Sequence, residues 1–217
     1  MMKSFFTIIL FWGLTFCSSA GEVFNPNLKG FSQETLEAAM TNSPVAFMSG
    51  EEQKVVFYMN LVRLEPQVFL EQILKPYVAA KQLNVNGYVK SLYSDLQKAT
   101  PTHPFVMKPD LYQVAQSHAE DIGLKGLTGH TGSHGKTFKK RVNHLFDAYL
   151  TVSENVGLGF ESPLDNVMGL LIDDGVKDLG HRKAMLSTEY NCIGVSLQNH
   201  KKFEFGCVMD FGQMENL

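Results

Sequence analysis

Apolar residues return every three or four positions through most of the chain and alternate with polar ones only near its end. Ser49 with Glu52 three residues on reads as a capping box. Val55, Val56, Met59 and Val62 follow on one face of the helix it opens. A short helix is expected over 68–74, stopped by Pro76, and an amphipathic one over 85–99 with Val89, Leu92, Tyr93 and Leu96 inward. Pro109 suits a first helical turn, and Leu111, Val114, Ala115, His118 and Ile122 form the stripe behind it. A short helix over 138–146 and a strand over 149–152 come next. Ser162, Pro163 and Asp165 then start a helix with Leu164, Val167, Met168 and Leu171 buried, ended by Gly175. Strands over 193–197 and 203–209 close the chain as a hairpin turning at 198–201. Helices in the middle and strands late make an α+β pattern, with a small antiparallel sheet covered by helices.

The first twenty residues have a different character. Lys3 precedes an apolar run over 5–16, 12 residues long and too short to span a bilayer comfortably. Cys17, Ser18, Ser19 and Ala20 follow with the small side chains a signal peptidase reads. Residues 1–20 are therefore expected to be a signal peptide cut after Ala20, with export to the periplasm or the medium. An uncleaved anchor is the alternative. A lipoprotein cut before Cys17 is another, disfavoured by the bulk of Phe16. Residues 21–49 read as an N-terminal extension with a helical piece at 33–40.

Composition narrows the classes. The chain has 217 residues, with 19 Lys and Arg against 22 Asp and Glu, a formal charge of −3. That balance argues against a protein living on phosphate contacts with nucleic acid. No second long apolar run exists to cross a membrane in the mature chain. Beyond Cys17 two cysteines remain, Cys192 and Cys207. In an exported chain an even pair suggests a disulfide, and a hairpin turning at 198–201 would set the two opposite each other. Two buried free thiols are the other reading.

The sequence has no His-Glu-x-x-His, Gly-x-Ser-x-Gly, Walker loop or Cys-x-x-Cys. What remains is histidines and acids among glycines. His130 and His134 stand four apart, but glycines at 123, 126, 129, 132 and 135 favour a compact loop over a helix. Glu154 sits in Ser-Glu-Asn after the expected strand, and His181 opens a short helix beside Arg182 and Lys183. Asp173 and Asp174 fall at a helix C-terminus, where carboxylates are disfavoured unless a cation or histidine faces them. His118, on an apolar stripe, reads as a core histidine.

Six segments together are similar to the CAP superfamily, also called SCP-like or TAPS proteins, in its bacterial-type form. They are 58–63 (Tyr-Met-Asn-Leu-Val-Arg), the 115–121 helix, 127–132 (Leu-Thr-Gly-His-Thr-Gly), 153–156 (Ser-Glu-Asn-Val), 180–182 (Gly-His-Arg) and 193–195 (Ile-Gly-Val). They occur in the family's order within a domain spanning 50–213. The resemblance implies an α-β-α sandwich and a cleft of two histidines and two acids that in some members holds zinc or another divalent metal. His130, Glu154 and His181 match three of the four. The family's Trp-Tyr-Ser-Glu segment has no counterpart, which leaves Asp174, or Asp173, as the second acid. The functions implied are a secreted binding module for a lipid, glycan or protein, a zinc-assisted hydrolase with Glu154 as base, or a structural envelope protein. With no positioned nucleophile in the sequence, binding is favoured over catalysis.

Overall fold

The computed structural model describes residues 24–215, so the expected signal peptide, its cut after Ala20 and Cys17 lie outside the described residues. The chain runs α1 (Gln33–Ala39), α2 (Gly50–Leu64), α3 (Pro66–Phe69), a π turn (Leu70–Leu74), α4 (Lys75–Ala80), α5 (Gly87–Lys98), β1 (Val106–Met107), α6 (Pro109–Lys125), α7 (Phe138–Val142), β2 (Thr151–Leu158), α8 (Pro163–Ile172), α9 (Gly180–Leu186), β3 (Cys192–His200) and β4 (Glu204–Gln213). Single 3-10 turns flank α7.

The four strands form one sheet in the order β1-β3-β4-β2, with β1 parallel to β3 and the other pairings antiparallel. Because strand side chains alternate, position parity sorts the core. Odd positions Ile193, Val195, Met209 and Phe211 pack with α2, α5 and α8. Even positions Val156 and Val208 pack with Ala115, Ala119 and Ile122 of α6. The sheet is thus the middle layer of an α-β-α sandwich. Gly194 and Gly123 let α6 lie directly on β3: a Cβ on Gly194 would stand 2.1 Å from the Tyr112 amide nitrogen, and one on Gly123 2.3 Å from the Asn199 carbonyl oxygen.

Local signals explain most boundaries. At α2 both capping-box bonds form, and the second Glu52 oxygen accepts from Leu197 N, tying the helix start to β3. Gly126, in the left-handed conformation, ends α6. In the extension, Phe31, Ala39 and Met48 are buried in the main core, and Asn60 donates to the carbonyls of Ala39 and Phe105.

Four expectations are corrected. Pro76 does not stop the second helix: the wider turn at Leu70–Leu74 precedes it, and Pro76 sits in the first turn of α4, where no intrahelical N–H is required. The strand expected over 149–152 runs from Thr151 to Leu158 and carries the Ser-Glu-Asn motif inside it. Asp173, in the left-handed conformation, ends α8 two residues before Gly175. The last hairpin turns at 201–203, with His200 opposite Glu204.

The hairpin register removes the expected disulfide. Cys192 lies opposite Gly212, and Cys207 opposite Leu197. The two cysteines are five strand positions out of register, roughly 17 Å by strand rise, and they face opposite sides of the sheet. Both are buried free thiols, and burial pushes the Cys192 thiol up to about 12. His200 explains the shifted turn. Its ring bonds the Leu127 carbonyl at 2.7 Å, and its Nδ1 accepts from Lys202 N and Phe203 N, so the loop below α6 anchors the turn.

Candidate functional site

Two histidines, each backed by a buried carboxylate, flank the edge strand β2. Glu154, at an even position, points toward α6. Its Oε1 lies 2.9 Å from His130 Nδ1, and its Oε2 accepts from Arg141 Nη2. The acid is buried while His130 is half exposed. Asn155, next along, points to the other face and donates to the His181 carbonyl at 3.0 Å. His181 turns its ring back to Asp173, with Nδ1 2.7 Å from Oδ1. Asp173 Oδ2 also accepts from the backbone N–H groups of His181 and Arg182, at 3.0 and 3.3 Å. The left-handed turn at Asp173 thus carries its carboxylate from the unfavourable end of α8 to the favourable start of α9. Each carboxylate engages Nδ1 and leaves Nε2 as the free ring nitrogen. Asp174 takes no part in this pair; its Oδ2 accepts from Asn86 Nδ2 at 2.8 Å.

The His130 loop is held from behind. Arg141 Nη1 donates to the carbonyls of His130 and Lys136 at 2.9 and 3.2 Å. Asp121 takes the Ser133 amide at 2.6 Å and its hydroxyl. A Cβ on Gly132 would reach Asp121 Oδ2 at 2.5 Å, so the acid and the loop need a glycine there. His118 is buried, with Nε2 bonded to the Gly129 carbonyl at 2.9 Å and 3.9 Å from Glu154. It is a core histidine that holds the loop, and burial keeps its pKa below the usual imidazole value. His134 takes a left-handed conformation in an exposed turn.

Nothing local to Asp210 singles it out in the sequence. It lies on β4 directly opposite Glu154 and is fully buried, with Glu154 as the hydrogen-bond partner of its protonated carboxyl. Burial first, then the charge of Glu154, push its carboxyl well above the usual range. The fold therefore keeps the Asp210 proton at a pH where the unfolded chain has released it. Stability is lost as pH rises from the ordinary carboxylate range toward the folded value. Asp210→Asn removes that loss. Its melting temperature should match the parent near pH 4 and exceed it by roughly 2–8 °C near pH 8, for a gain of about 1–2 kcal/mol. An equal offset at both pH values would show that Asp210 does not titrate this way.

Arg182 has a structural place. Its guanidinium donates to the carbonyls of Leu171, Tyr88 and Ile172, to Ser91 and to Asp95, joining α5, α8 and α9. It adds no charge to the pairs.

These residues coincide with a sequence family. The model of the CAP family, the cysteine-rich secretory protein family, matches residues 56–211. The chain belongs to the CAP family. The match runs from within α2 through most of β4 and includes both histidine–acid pairs. Among solved structures, it is similar to an outer surface protein from Borrelia burgdorferi at 21% identity and TM-score 0.45, covering 61% of this chain and 97% of that one. It is also similar to an extracellular SCP-domain protein from Bacillus anthracis, at 16% identity and TM-score 0.43, covering 59% and 41%. A cysteine-rich secretory protein from Staphylococcus aureus follows at 15% and 0.39, covering 58% and 38%. The chain thus spans nearly all of the first and about two fifths of the other two. A search of curated proteins finds no match.

The zinc expected from the family can be tested on the CAP domain's donor set. Among the described residues, no group of three or more His, Cys, Asp or Glu is placed to hold a metal ion. Glu154 and Asp173 are already engaged by an imidazole Nδ1, where a metal-binding histidine places its supporting acid. Only the two Nε2 atoms remain as ligands, fewer than the three protein donors of a catalytic zinc. The residues do not fit a zinc centre in this arrangement.

Proposed function

We propose that this CAP domain is an exported binding module that meets its ligand or partner with the imidazoles of His130 and His181. One observation carries the reading: each ring is fixed at Nδ1 by a buried carboxylate, which orients it and leaves Nε2 to a hydrogen-bonding group from outside. Among the described residues neither ring is hydrogen-bonded to a hydroxyl or thiol, as an activated nucleophile would require, and both cysteines lie in the core. Export is supported by the basic and apolar opening of the chain. No helix of the described residues is long and apolar enough to cross a membrane. The ligand class is a lipid, a glycan or a protein.

The test is an array of defined glycans and lipids, probed with the protein and with a His130→Ala/His181→Ala variant. Saturable binding without turnover of the bound compound, weakened at least about tenfold in the variant, is expected. Binding that survives loss of both rings would overturn the reading. So would turnover abolished by Glu154→Gln, which would make the site a hydrolase with Glu154 as base. Calorimetric titration with zinc runs beside it and should show no stoichiometric uptake. Stoichiometric uptake lost in the variant would return the site to the metal reading.

A further inference from the structure

The two edges of the sheet are finished differently. At the β1 edge the outward backbone groups are taken. Val106 N and Lys108 N donate to the Asn191 and Ile193 carbonyls, so Phe105 and Met107 turn their own groups away from β3. Asn60 spans Phe105, accepting its N–H at 2.7 Å and donating to its carbonyl at 3.2 Å. Asn42, from the N-terminal extension, spans Met107 in the same way, at 3.1 and 3.0 Å. Two side-chain amides thus stand where a further strand would pair.

The β2 edge has no such cover. Gly159 N donates to the Phe205 carbonyl, one step past the Leu158–Gly206 pairing, so odd positions of β2 exchange bonds with β4. The even positions, Val152, Glu154, Val156 and Leu158, turn their N–H and C=O groups outward. Among the described residues no backbone or side-chain group bonds them; the bonds made around this stretch go to the Glu154 and Asn155 side chains. The row runs for about 20 Å, and Val152, Val156 and Leu158 are half-buried. Edge strands are ordinarily guarded by a lysine, a proline or an inward charge that pairing would bury. Residues 152–158 contain no Lys and no Pro, and their one charge, Glu154, is already held by Arg141 and His130.

We propose that the β2 edge takes an extended polypeptide segment of a partner, added to the four-stranded sheet as a fifth strand. The backbone row supplies affinity, and the side chains beside it supply selection. Successive side chains of an added strand alternate faces. One falls on the α6 face with His130, and the next on the α9 face with His181. A hydroxyl, amide or carboxyl group at each of two successive positions complements the two Nε2 atoms. A second copy pairing β2 with β2 keeps each face on its own side and sets like ring against like ring, without that complement. The inference deepens the binding reading above and rests on it, naming an extended peptide as the partner.

The probe is a displayed library of random twelve-residue peptides, followed by a synthetic copy of the peptide it selects. Binding should be saturable. Backbone N-methylation at either of two alternate peptide residues should weaken it at least about tenfold, and at the residue between them less than about threefold. With peptide bound, amide hydrogen exchange at Val152, Val156 and Leu158 should slow, while Ser153, Asn155 and Gly157, already bonded to β4, change little. Val156→Pro removes one outward donor, a change an edge strand tolerates, and should also weaken binding at least about tenfold. The N-methyl series uses the unaltered protein, so it decides the matter even where Val156→Pro fails to fold. No selected peptide, or one whose affinity ignores the phase of N-methylation, overturns the proposal. Glycan or lipid binding lost with both imidazoles would in that case leave the binding reading standing and exclude the edge alone. A dimer in sedimentation that Val156→Pro dissociates would assign the edge to a second copy, and overturns it as well.

Discussion

Arg141→Met should cost about 3–5 kcal/mol of folding stability, the range for removing one partner of a buried ion pair. The reason lies in what Arg141 leaves behind. Glu154 is buried, faces the fully buried Asp210 across the β2–β4 pair, and among the described residues has Arg141 as its buried guanidinium partner. His130, its other partner, is half exposed. Without the guanidinium, a carboxylate stays in low dielectric beside a second acid, and the carbonyls of His130 and Lys136 lose a donor. Urea unfolding gives the magnitude. The double variant Arg141→Met/Glu154→Gln separates the causes, because it removes the buried charge with the cation. It should recover at least about 1 kcal/mol relative to Arg141→Met alone. Strict additivity of the two substitutions would show that the pair is not coupled and that Arg141 acts only through the carbonyls of its loop.

The same contrast between local signal and tertiary context shows how far the site was legible in the sequence. His130, Glu154 and His181 were singled out through the resemblance of their motifs to a family, and the structure sets each histidine on a buried carboxylate. Gly129 and Gly132 shape the loop, Asn155 ties β2 to α9, and Arg182 locks α9 to α5 and α8. His118 was legible from its apolar stripe. The choice between Asp173 and Asp174 was not. Both are acids at one helix end, and which one turns inward depends on a left-handed residue at 173 rather than on composition. The hairpin failed for a related reason. Residues 198–201 look like a turn locally, but His200 is pulled onto the Leu127 carbonyl and the strand pairing runs on as far as His200, which separates the cysteines. Asp210 gave no signal, since a single acid in a strand reads as solvent-facing until its neighbour across the sheet is known. All three arginines are buried, which nothing local to their helices shows.

Arg63 is the extreme case of that burial and leads to the other large expected effect. Its guanidinium lies at the end of α2 and uses every donor. Nε bonds the His103 carbonyl at 3.0 Å. Nη1 bonds the carbonyls of Met185 and Ser187 at 2.9 and 2.7 Å. Nη2 bonds the Tyr190 carbonyl at 2.9 Å and lies 3.3 Å from His103 Nδ1. The plane stacks 3.8 Å above the Phe105 ring. No salt bridge forms among its described contacts; the charge is held by backbone dipoles from the loop before β1 and from the segment joining α9 to β3. Arg63→Lys keeps the charge but replaces a five-donor planar fork by a point charge on a flexible stem. Several buried carbonyls then go unpaired, so the substitution should cost about 3 kcal/mol and lower the melting temperature by roughly 6–12 °C. Burial draws the guanidinium down to about 9, still above neutrality. Arg63 is therefore charged throughout the working range, so the parent carries no slope from this group between about pH 5 and 8. A lysine in the same buried place is pushed downward by the same desolvation, so the deficit should hold steady or grow as pH rises. An Arg63→Lys protein that melts with the parent would mean that water or a shifted loop replaces the fork, and that this bridge between the ends of α2 and α9 is dispensable.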